Sequence, residues 1–350
     1  MKLLSGKDSV RNHSFEYMRS IACLAIVLMH MMNVSEILYR SEISKSSDCF
    51  SMMIVYLMMW AVPLFVMVTG ALILDPSKNI SLKNLYGKYI LRVFGALVLF
   101  TIIFRFVDML MNGESFSAAV IGSAFYKLFT ATSWSHLWYL YLMIGLYVLL
   151  PAYRSVTAGL DKKTFLYILA VYAVFLSLLP LSDIFGVSTG FHLQTSAVYV
   201  LFFFAGYAVK SGILNIKKSM ALILFLLATA LIVLFCIMRY ELDLAGLDVM
   251  LGSYSSPLVV VQSVSLFILM YKNETSEKSG FFSKLITVFD RNSFGIYLIH
   301  MIFLRLFLRH MQINPYGTLY MFAVVYFATL VISFGIAFLL HLIPGVRRIV

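Results

Sequence analysis

The feature that most constrains this chain is a succession of apolar runs, each about as long as a bilayer is thick. A transmembrane helix needs about 20 consecutive apolar residues, and runs near this length recur along the whole sequence. Hydrophobic residues make up 61% of the chain and charged residues 12%, whereas soluble domains average about 45–50% and about 25%. A soluble protein of this length could not cover so much apolar surface. The sequence therefore predicts an all-α, polytopic integral membrane protein.

The lengths and spacing of these runs predict about ten transmembrane helices. The predicted spans cover residues 15–38, 50–74, 89–111, 137–153, 164–181, 195–209, 219–239, 254–271, 293–309 and 317–342. No linker, low-complexity tract or internal repeat divides the sequence. We therefore expect a single transmembrane domain over residues 1–350.

The basic residues give an independent indication of topology, because Lys and Arg concentrate in cytoplasmic loops. In this chain they occur at both ends and in every second loop: Lys2, Lys7, Arg11, Lys78, Lys83, Lys88, Arg154, Lys162, Lys163, Lys210, Lys217, Lys218, Lys272, Lys278, Lys284, Arg291, Arg347 and Arg348. The opposite loops are poor in basic residues, and Trp134 and Trp138 flank a predicted outer boundary. Both termini should be cytoplasmic in a multi-pass protein of the inner or plasma membrane.

Charge and cysteine positions argue against two classes of interaction. The net charge is +11, but the basic residues alternate with apolar runs instead of clustering on one domain, so we expect membrane lipids and no nucleic acid as a partner. Cys23, Cys49 and Cys236 are far apart and show no Cys-x-x-Cys or His–Cys spacing. Neither a disulfide framework nor a metal site is predicted.

Arg19 and His30 are the first candidate functional residues. Eleven steps of about 100° bring an α-helix back to within about 20° of its start, so both side chains share one face about 16 Å apart. An ionisable pair inside a membrane helix is costly and is expected to face a cavity. Snorkelling to cytosolic headgroups explains Arg19 alone, and a hydrogen-bonded interior histidine is the structural alternative for His30. Snorkelling does not explain His30, which lies about 20 Å past the cytosolic entry of the helix if that entry is near Glu16.

Three further stretches carry possible chemistry. The first is WAVPLFVMVTG at 60–70, where Pro63 and the Thr69–Gly70 pair favour a structural role in kinking and close packing. The second is WSHLWYLY at 134–141, which is either an interfacial aromatic belt or a site in which His136 approaches His30 from a neighbouring helix.

The third stretch is RNSFGIYLIH at 291–300. Ser293, Tyr297 and His300 follow an i, i+4, i+7 pattern and share one stripe of a helix. Polar groups in a membrane helix should face protein or water, because lipid leaves them unpaired. Interhelical hydrogen bonding is the simpler explanation of this stripe.

These four stretches resemble the motifs of the acyltransferase-3 family of integral membrane O-acyltransferases. The Arg-x10-His spacing is similar to the family's first-helix motif, and VPLFVMVTG, HLWYLY and NSFGIYLIH are similar to its VPLFFMxSG, HLWF and SxGIYxxH segments. Their order also fits, from residue 15 to about residue 310. Thr69 replaces the usual Ser, Ala71 replaces a frequent aromatic residue, and Tyr89 replaces the first Arg of an Arg-x-x-Arg motif. The resemblance is strongest to the short, stand-alone O-acetyltransferases of surface polysaccharides.

The resemblance implies transfer of an acetyl group from cytosolic acetyl-CoA to a hydroxyl of a surface polysaccharide or its lipid-linked sugar precursor. The resemblance implies that His30 and Arg19 form the catalytic pair, since a neutral imidazole can act as a general base or a nucleophile. Arg19, Lys88 and Arg92 would bind the phosphates of the acyl-CoA donor, although headgroup anchoring also explains Lys88 and Arg92. No permanently bound cofactor is implied. The acceptor or supporting site would contain His136, Trp138, Ser293, Tyr297 and His300.

Two other classes of protein stay open at this stage. A transporter or flippase of lipid-linked sugars also carries intramembrane His and Arg, but the sequence has no inverted repeat and no paired broken helices. A membrane sensor or scaffold would not need His30 in line with Arg19.

Overall fold

The computed structural model describes residues 12–178, 198–272 and 280–349. Helices and turns account for this part of the chain and no β-strand occurs in it, which confirms the all-α prediction. The α-helices are α1 (His13–Tyr39), α2 (Lys45–Leu57), α3 (Ala61–Ile73), α4 (Leu82–Asn84), α5 (Leu91–Asn112), α6 (Ala118–Phe129), α7 (Trp138–Val148), α8 (Leu150–Gly159), α9 (Lys162–Ala173), α10 (Tyr199–Lys210), α11 (Lys218–Glu241), α12 (Asp248–Leu251), α13 (Pro257–Met270), α14 (Phe281–Arg305) and α15 (Leu319–Leu342). Segments of π-helix at Leu85–Ile90, Val174–Leu178 and Leu306–His310 continue neighbouring helices.

Within these ranges, five helices are long and apolar enough to cross a membrane: His13–Tyr39, Lys45–Ile73, Leu82–Asn112, Lys218–Glu241 and Leu319–Leu342. The pair Ser135–Val148 and Leu150–Gly159 is bent by 54° and makes a sixth if it is one broken span. Shorter apolar helices are Ala118–Phe129, Tyr199–Lys210 and Pro257–Met270. About ten spans and cytoplasmic termini therefore stay predictions. Residues 179–181 and 195–197 of the predicted spans, with Lys2, Lys7, Arg11 and Lys278, lie outside the described residues.

Two helices differ from the sequence prediction in an informative way. Helix α14 begins at Phe281, well before the predicted span at 293, because Asp290 and Arg291 lower the local hydropathy without interrupting the helix. Helix α6 occupies what the sequence predicts as an outer loop. Its buried side chains lie at i, i+4 and i+8 (Val120, Ala124 and Leu128) and pack it against α5.

The described residues divide into two compact units. The first comprises the described parts of Met1–Ala25, Tyr56–Leu72 and Leu166–Arg291; the second comprises those of Ile26–Val55, Ile73–Phe165 and Asn292–Val350. In the first unit α13 packs against α11 and α10, and in the second α5 packs against α6 and α7. A single domain over the whole chain stays a prediction.

A very close helix contact in the first unit explains the glycine of the 60–70 stretch. A Cβ added to Gly70 of α3 would lie 1.9 Å from the carbonyl oxygen of Phe203, and one added to Gly206 of α10 would lie 1.9 Å from that of Met67. Only glycine permits backbones to approach so closely. The hydroxyl of Thr69 donates to the Phe65 carbonyl at 2.9 Å within its own helix. This stretch therefore has the structural role that its sequence favours.

Candidate active site in the second unit

Three histidines that are far apart in the sequence meet in the second unit. His30 lies on α1, His136 in the 3-10 turn Ser135–Leu137 before α7, and His300 on α14. The ring centroid of His300 is 5.3 Å from that of His30 and 5.5 Å from that of His136, and the His30–His136 separation is 6.3 Å. We call these three residues the histidine cluster. The structure thus brings together three of the predicted site residues.

The three imidazoles differ in their access to the exterior. His136 and His300 are 1% and 0% exposed, whereas His30 is half-buried. The Nδ1 atom of His300 lies 3.2 Å from the Ile296 carbonyl oxygen, a distance that suits donation from Nδ1–H. Nε2 of His300 and both ring nitrogens of His136 make no hydrogen bond of ordinary geometry with the described residues. Buried polar atoms of this kind are rare in native proteins, so the cluster carries an unused capacity for hydrogen bonding.

Tyr297 connects two members of the cluster. Its hydroxyl donates to the backbone carbonyl of His136, and its ring centroid lies 5.7 Å from the His136 ring and 6.0 Å from the His300 ring. Tyr297 is 7% exposed. Because it stands almost one turn before His300 on α14, it ties the His136 turn to the helix that carries His300.

A polar and aromatic layer lies beside His136. The Trp134 ring stacks on Phe104 with centroids 4.3 Å apart, and the guanidinium carbon of Arg305 is 3.8 Å from the Trp134 ring centroid. Asp108 accepts hydrogen bonds from the Trp134 indole at 2.9 Å and from Arg305 at 3.2 Å. Trp134 is 4% exposed, so it forms part of the interior instead of the interfacial aromatic belt that its position suggests.

Arg19 has a carboxylate partner in the first unit. Its Nε and one Nη donate to the two oxygens of Asp290 on α14, both at 2.7 Å. The side chains of Arg19 and Asp290 are 27% and 6% exposed. This bidentate geometry is the strongest arrangement available to an Arg–carboxylate pair.

The other two predicted donor-binding residues belong to the second unit. Lys88 is exposed on the π-helical segment Leu85–Ile90. The guanidinium carbon of Arg92 lies 5.3 Å from the Phe294 ring centroid, within the range of a cation–π contact. Tyr89, which replaces the first Arg of the family motif, packs its ring against Tyr147 at 5.8 Å.

Comparison with known proteins identifies the family. A family model described as an acyltransferase domain matches residues 12–341, nearly the whole chain. The chain belongs to the acyltransferase-3 family. No curated protein matches it significantly, and no solved structure does so. Together with the apolar helices, the family makes this protein a membrane acyltransferase and confirms that part of the sequence prediction.

The remaining predicted residues of the acyltransferase lie close to the cluster in sequence. Ser293 is 4% exposed and stands one turn before Tyr297 on α14. Trp138 is half-buried at the start of α7, and its ring centroid is 6.3 Å from that of Tyr139.

The structure brings to these sites three charged residues of the acyltransferase that are not among the predicted site residues: Asp290, Asp108 and Arg305. Asp108 and Arg305 fall inside predicted spans, and an ionisable residue within a span is itself a signal of function or pairing. That signal could have found both. It could not have named their partners.

Proposed function

We propose that the acyltransferase transfers an acetyl group from cytosolic acetyl-CoA to a hydroxyl of a surface polysaccharide or of its lipid-linked sugar precursor. The proposed donor and acceptor are those implied by the motif resemblance to the stand-alone O-acetyltransferases of surface polysaccharides, a group that includes the enterobacterial common antigen O-acetyltransferase. The observation that supports the proposal best is the histidine cluster, in which a half-buried imidazole stands beside two fully buried ones.

His30 is the residue to which we assign the proton transfer, because it is the one member of the cluster that is not fully buried. A ring nitrogen of His30 accepts the proton of the acceptor hydroxyl while the hydroxyl oxygen attacks the thioester carbonyl carbon. The new C–O bond forms, the C–S bond breaks, and His30 returns its proton to the departing sulfur. The products are the acetyl ester and free CoA, and the imidazole is regenerated.

The neighbouring residues would position this base and its substrates. With Nδ1 of His300 directed to the Ile296 carbonyl, its Nε2 is left as an acceptor for an N–H of His30 or for the acceptor hydroxyl. Tyr297 would keep His136 against the cluster through its bond to the His136 carbonyl. Ser293 and Trp138 would shape the wall around the acceptor.

We assign donor phosphate contacts to Arg19, Lys88 and Arg92. A guanidinium carries five N–H donors, and Asp290 engages only Nε and one Nη of Arg19. Arg19 can therefore hold Asp290 and a phosphate oxygen at the same time.

Purified protein in detergent, with labelled acetyl-CoA and an acceptor glycan, tests the function directly. Release of free CoA with label on the acceptor supports transfer, whereas no release of CoA in the presence of the acceptor supports a transporter or a sensor. We expect His30→Ala to abolish transfer and to leave the elution profile and unfolding temperature unchanged. His310→Ala is a matched control, since His310 is exposed at the end of the π-helical segment. A folded His30→Ala protein with normal transfer would refute the assignment of His30.

The acceptor is best identified in cells. Mass analysis of surface glycans with and without the gene should show one acetyl group that depends on the gene. Unchanged glycan masses would refute a surface polysaccharide as the final acceptor.

A further inference from the structure

The second unit contains an open cavity of about 600 Å³ that none of the sequence motifs touches. It lies between the loop that joins α3 to α4 and the helix α8. Its lining residues combine two cations, three uncharged polar residues and an apolar remainder: Pro76, Ser77, Lys78, Asn79, Ile80, Leu82, Leu85, Leu150, Pro151, Arg154, Ser155 and Ala158. No carboxylate is among these lining residues, and the nearby Asp75 accepts hydrogen bonds from the backbone N–H and the hydroxyl of Ser77.

Arg154 supplies a charge that the described residues do not neutralise. Its guanidinium donates to the backbone carbonyls of Ile73 and Pro76, each at 3.4 Å, and to that of Lys78. No Asp or Glu in the described part of the chain lies within ion-pair distance of it. The carbonyls hold the guanidinium at the cavity wall, and an anion is the complement that this wall lacks.

The uncharged lining residues favour an anion that is more than a bare phosphate. The side-chain amide of Asn79 offers further hydrogen-bond donors, while Leu82, Leu85 and Leu150 offer an apolar surface. The hydroxyls of Ser77 and Ser155 already donate to Asp75 and to the Pro151 carbonyl. The volume falls within the range of about 300–1,000 Å³ that is typical of ligand sites. A nucleotide that carries several phosphates satisfies both kinds of lining.

The position of the cavity relates it to the histidine cluster through one helix of the same unit. Leu150 of the cavity lies two residues after Val148, where α7 ends, and His136 lies two residues before Trp138, where α7 begins. The 11 residues of α7 span about 16 Å. A donor with a phosphate group in the cavity and an extended arm along α7 would bring its thioester to the histidines. Lys78 and Arg154 also lie in loops that the charge pattern predicts to be cytoplasmic.

We propose that this cavity binds a phosphate group of the nucleotide of the acyl donor, with Arg154 and Lys78 as the residues that contact it. CoA carries a ribose phosphate apart from its diphosphate, so this contact is additional to those assigned above to Arg19, Lys88 and Arg92. The proposal rests on the proposed function, because it takes acyl-CoA as the donor. It also supplies a pair of cations in a protein whose Arg-x-x-Arg motif is interrupted by Tyr89.

The test compares two donors that differ only in the part the cavity would bind. Acetyl-CoA carries the nucleotide, whereas S-acetylpantetheine carries the same thioester arm without it. We expect Lys78→Ala to raise the KM for acetyl-CoA about 10-fold, with unchanged kcat and with unchanged kinetics on S-acetylpantetheine. Lys83→Ala is the matched control, because Lys83 is an exposed cation of the same predicted loop that does not line the cavity.

Further variants allow the proposal to be tested even if one of the substituted proteins misfolds. Arg154→Ala removes three hydrogen bonds to the loop as well as the charge, so Ser155→Trp provides an independent variant that fills the cavity from its exposed rim. Both should raise the KM for acetyl-CoA selectively, and Arg154→Lys should recover part of the loss. Equal losses with both donors, or no loss with either, would overturn the proposal.

Two other outcomes distinguish binding of the donor in the cavity from binding of lipid there and from failure of the proposed function. If Lys78→Ala weakens retention of anionic lipid in mixed-lipid nanodiscs while the Kd for CoA is unchanged, the cavity binds lipid headgroups and the proposal is overturned. If the wild-type protein transfers acetyl from neither donor, the proposed function fails. Equilibrium binding of CoA to the wild type and to Lys78→Ala then still tests whether the cavity binds the donor. Equal affinities, or no binding of CoA, would overturn the proposal, and a 10-fold lower affinity of Lys78→Ala would support it.

Discussion

Replacing Gly70 with alanine should separate α3 from α10 and destabilise the first unit strongly. The added Cβ would lie 1.9 Å from the Phe203 carbonyl oxygen, whereas a close C–H···O approach is about 3.3 Å. The obstacle is backbone, which cannot turn aside as a side chain can. To restore that approach distance, the helices must move apart locally by about 1.4 Å.

The size of the effect follows from the dispersion energy between the two helices. Both are buried around the close approach, with Met67 and Phe203 fully so. A gap of 0.5–1 Å forfeits a quarter to a half of each dispersion well of about 0.1–0.2 kcal/mol, and one large buried side chain takes part in about 50 such atom pairs. The expected decrease in the free energy of unfolding is about 3 kcal/mol, at the upper end of ordinary overpacking. Dispersion packing is the main attraction between membrane helices, so little can compensate for this decrease.

The reciprocal close approach at Gly206 provides a second test of the same helix contact. Gly206→Ala should cost a similar amount alone, but the double variant should cost little more than either, because one separation of the helices relieves both clashes. Gly145→Ala is the control, since a Cβ there meets nothing within 4 Å. Reversible unfolding in mixed micelles, followed by tryptophan fluorescence, measures all four proteins. Additive losses of stability, or a Gly70→Ala protein as stable as Gly145→Ala, would refute the reasoning.

Three further expectations concern polar groups. Arg19→Ala and Asp290→Ala should each lower the free energy of unfolding by about 3 kcal/mol, because each leaves the charge of the remaining partner poorly solvated. The double variant should lose less stability than Arg19→Ala. A chemical unfolding titration in which the double variant loses the sum of both effects would contradict a direct pair. Tyr297→Phe removes one buried hydrogen bond of about 1 kcal/mol, so kcat should fall several-fold with little change in the KM for the donor. A variant that loses only thermal stability, with kcat unchanged, would assign Tyr297 to packing. Backbone and hydroxyl hydrogen bonds from Thr164, with a further one from Lys163, hold the pKa of Asp161 below its usual value. The ionised Asp161 should therefore stabilise the start of α9 fully above about pH 5, and this stabilisation should fade as the pH drops through the lowered pKa. The difference in unfolding free energy between wild type and Asp161→Asn, measured from acidic to neutral pH, should shrink towards low pH. A difference that stays constant with pH would refute this role of Asp161.

Properties that depend on local sequence are the ones that the sequence determines here. The all-helical class follows from the apolar runs, and the bounds of α1, α11 and α15 lie within a few residues of the predicted spans. Hydropathy and the period of 3.6 residues are set by neighbours along the chain. The prediction that His136 could approach His30 also comes from sequence, through the depth that each occupies in its span.

Only the tertiary structure decides which distant residues become partners. Asp290 lies 271 positions after Arg19 in the chain, and nothing in the hydropathy of either helix indicates that they are neighbours. The same holds for Gly70 with Gly206, for Asp108 with Arg305, and for the cavity that Arg154 lines. Apolar surface that faces lipid and apolar surface that faces another helix have the same composition. The rotation and order of helices in a membrane are therefore settled by side-chain packing and charge pairing, which exist only in the assembled fold.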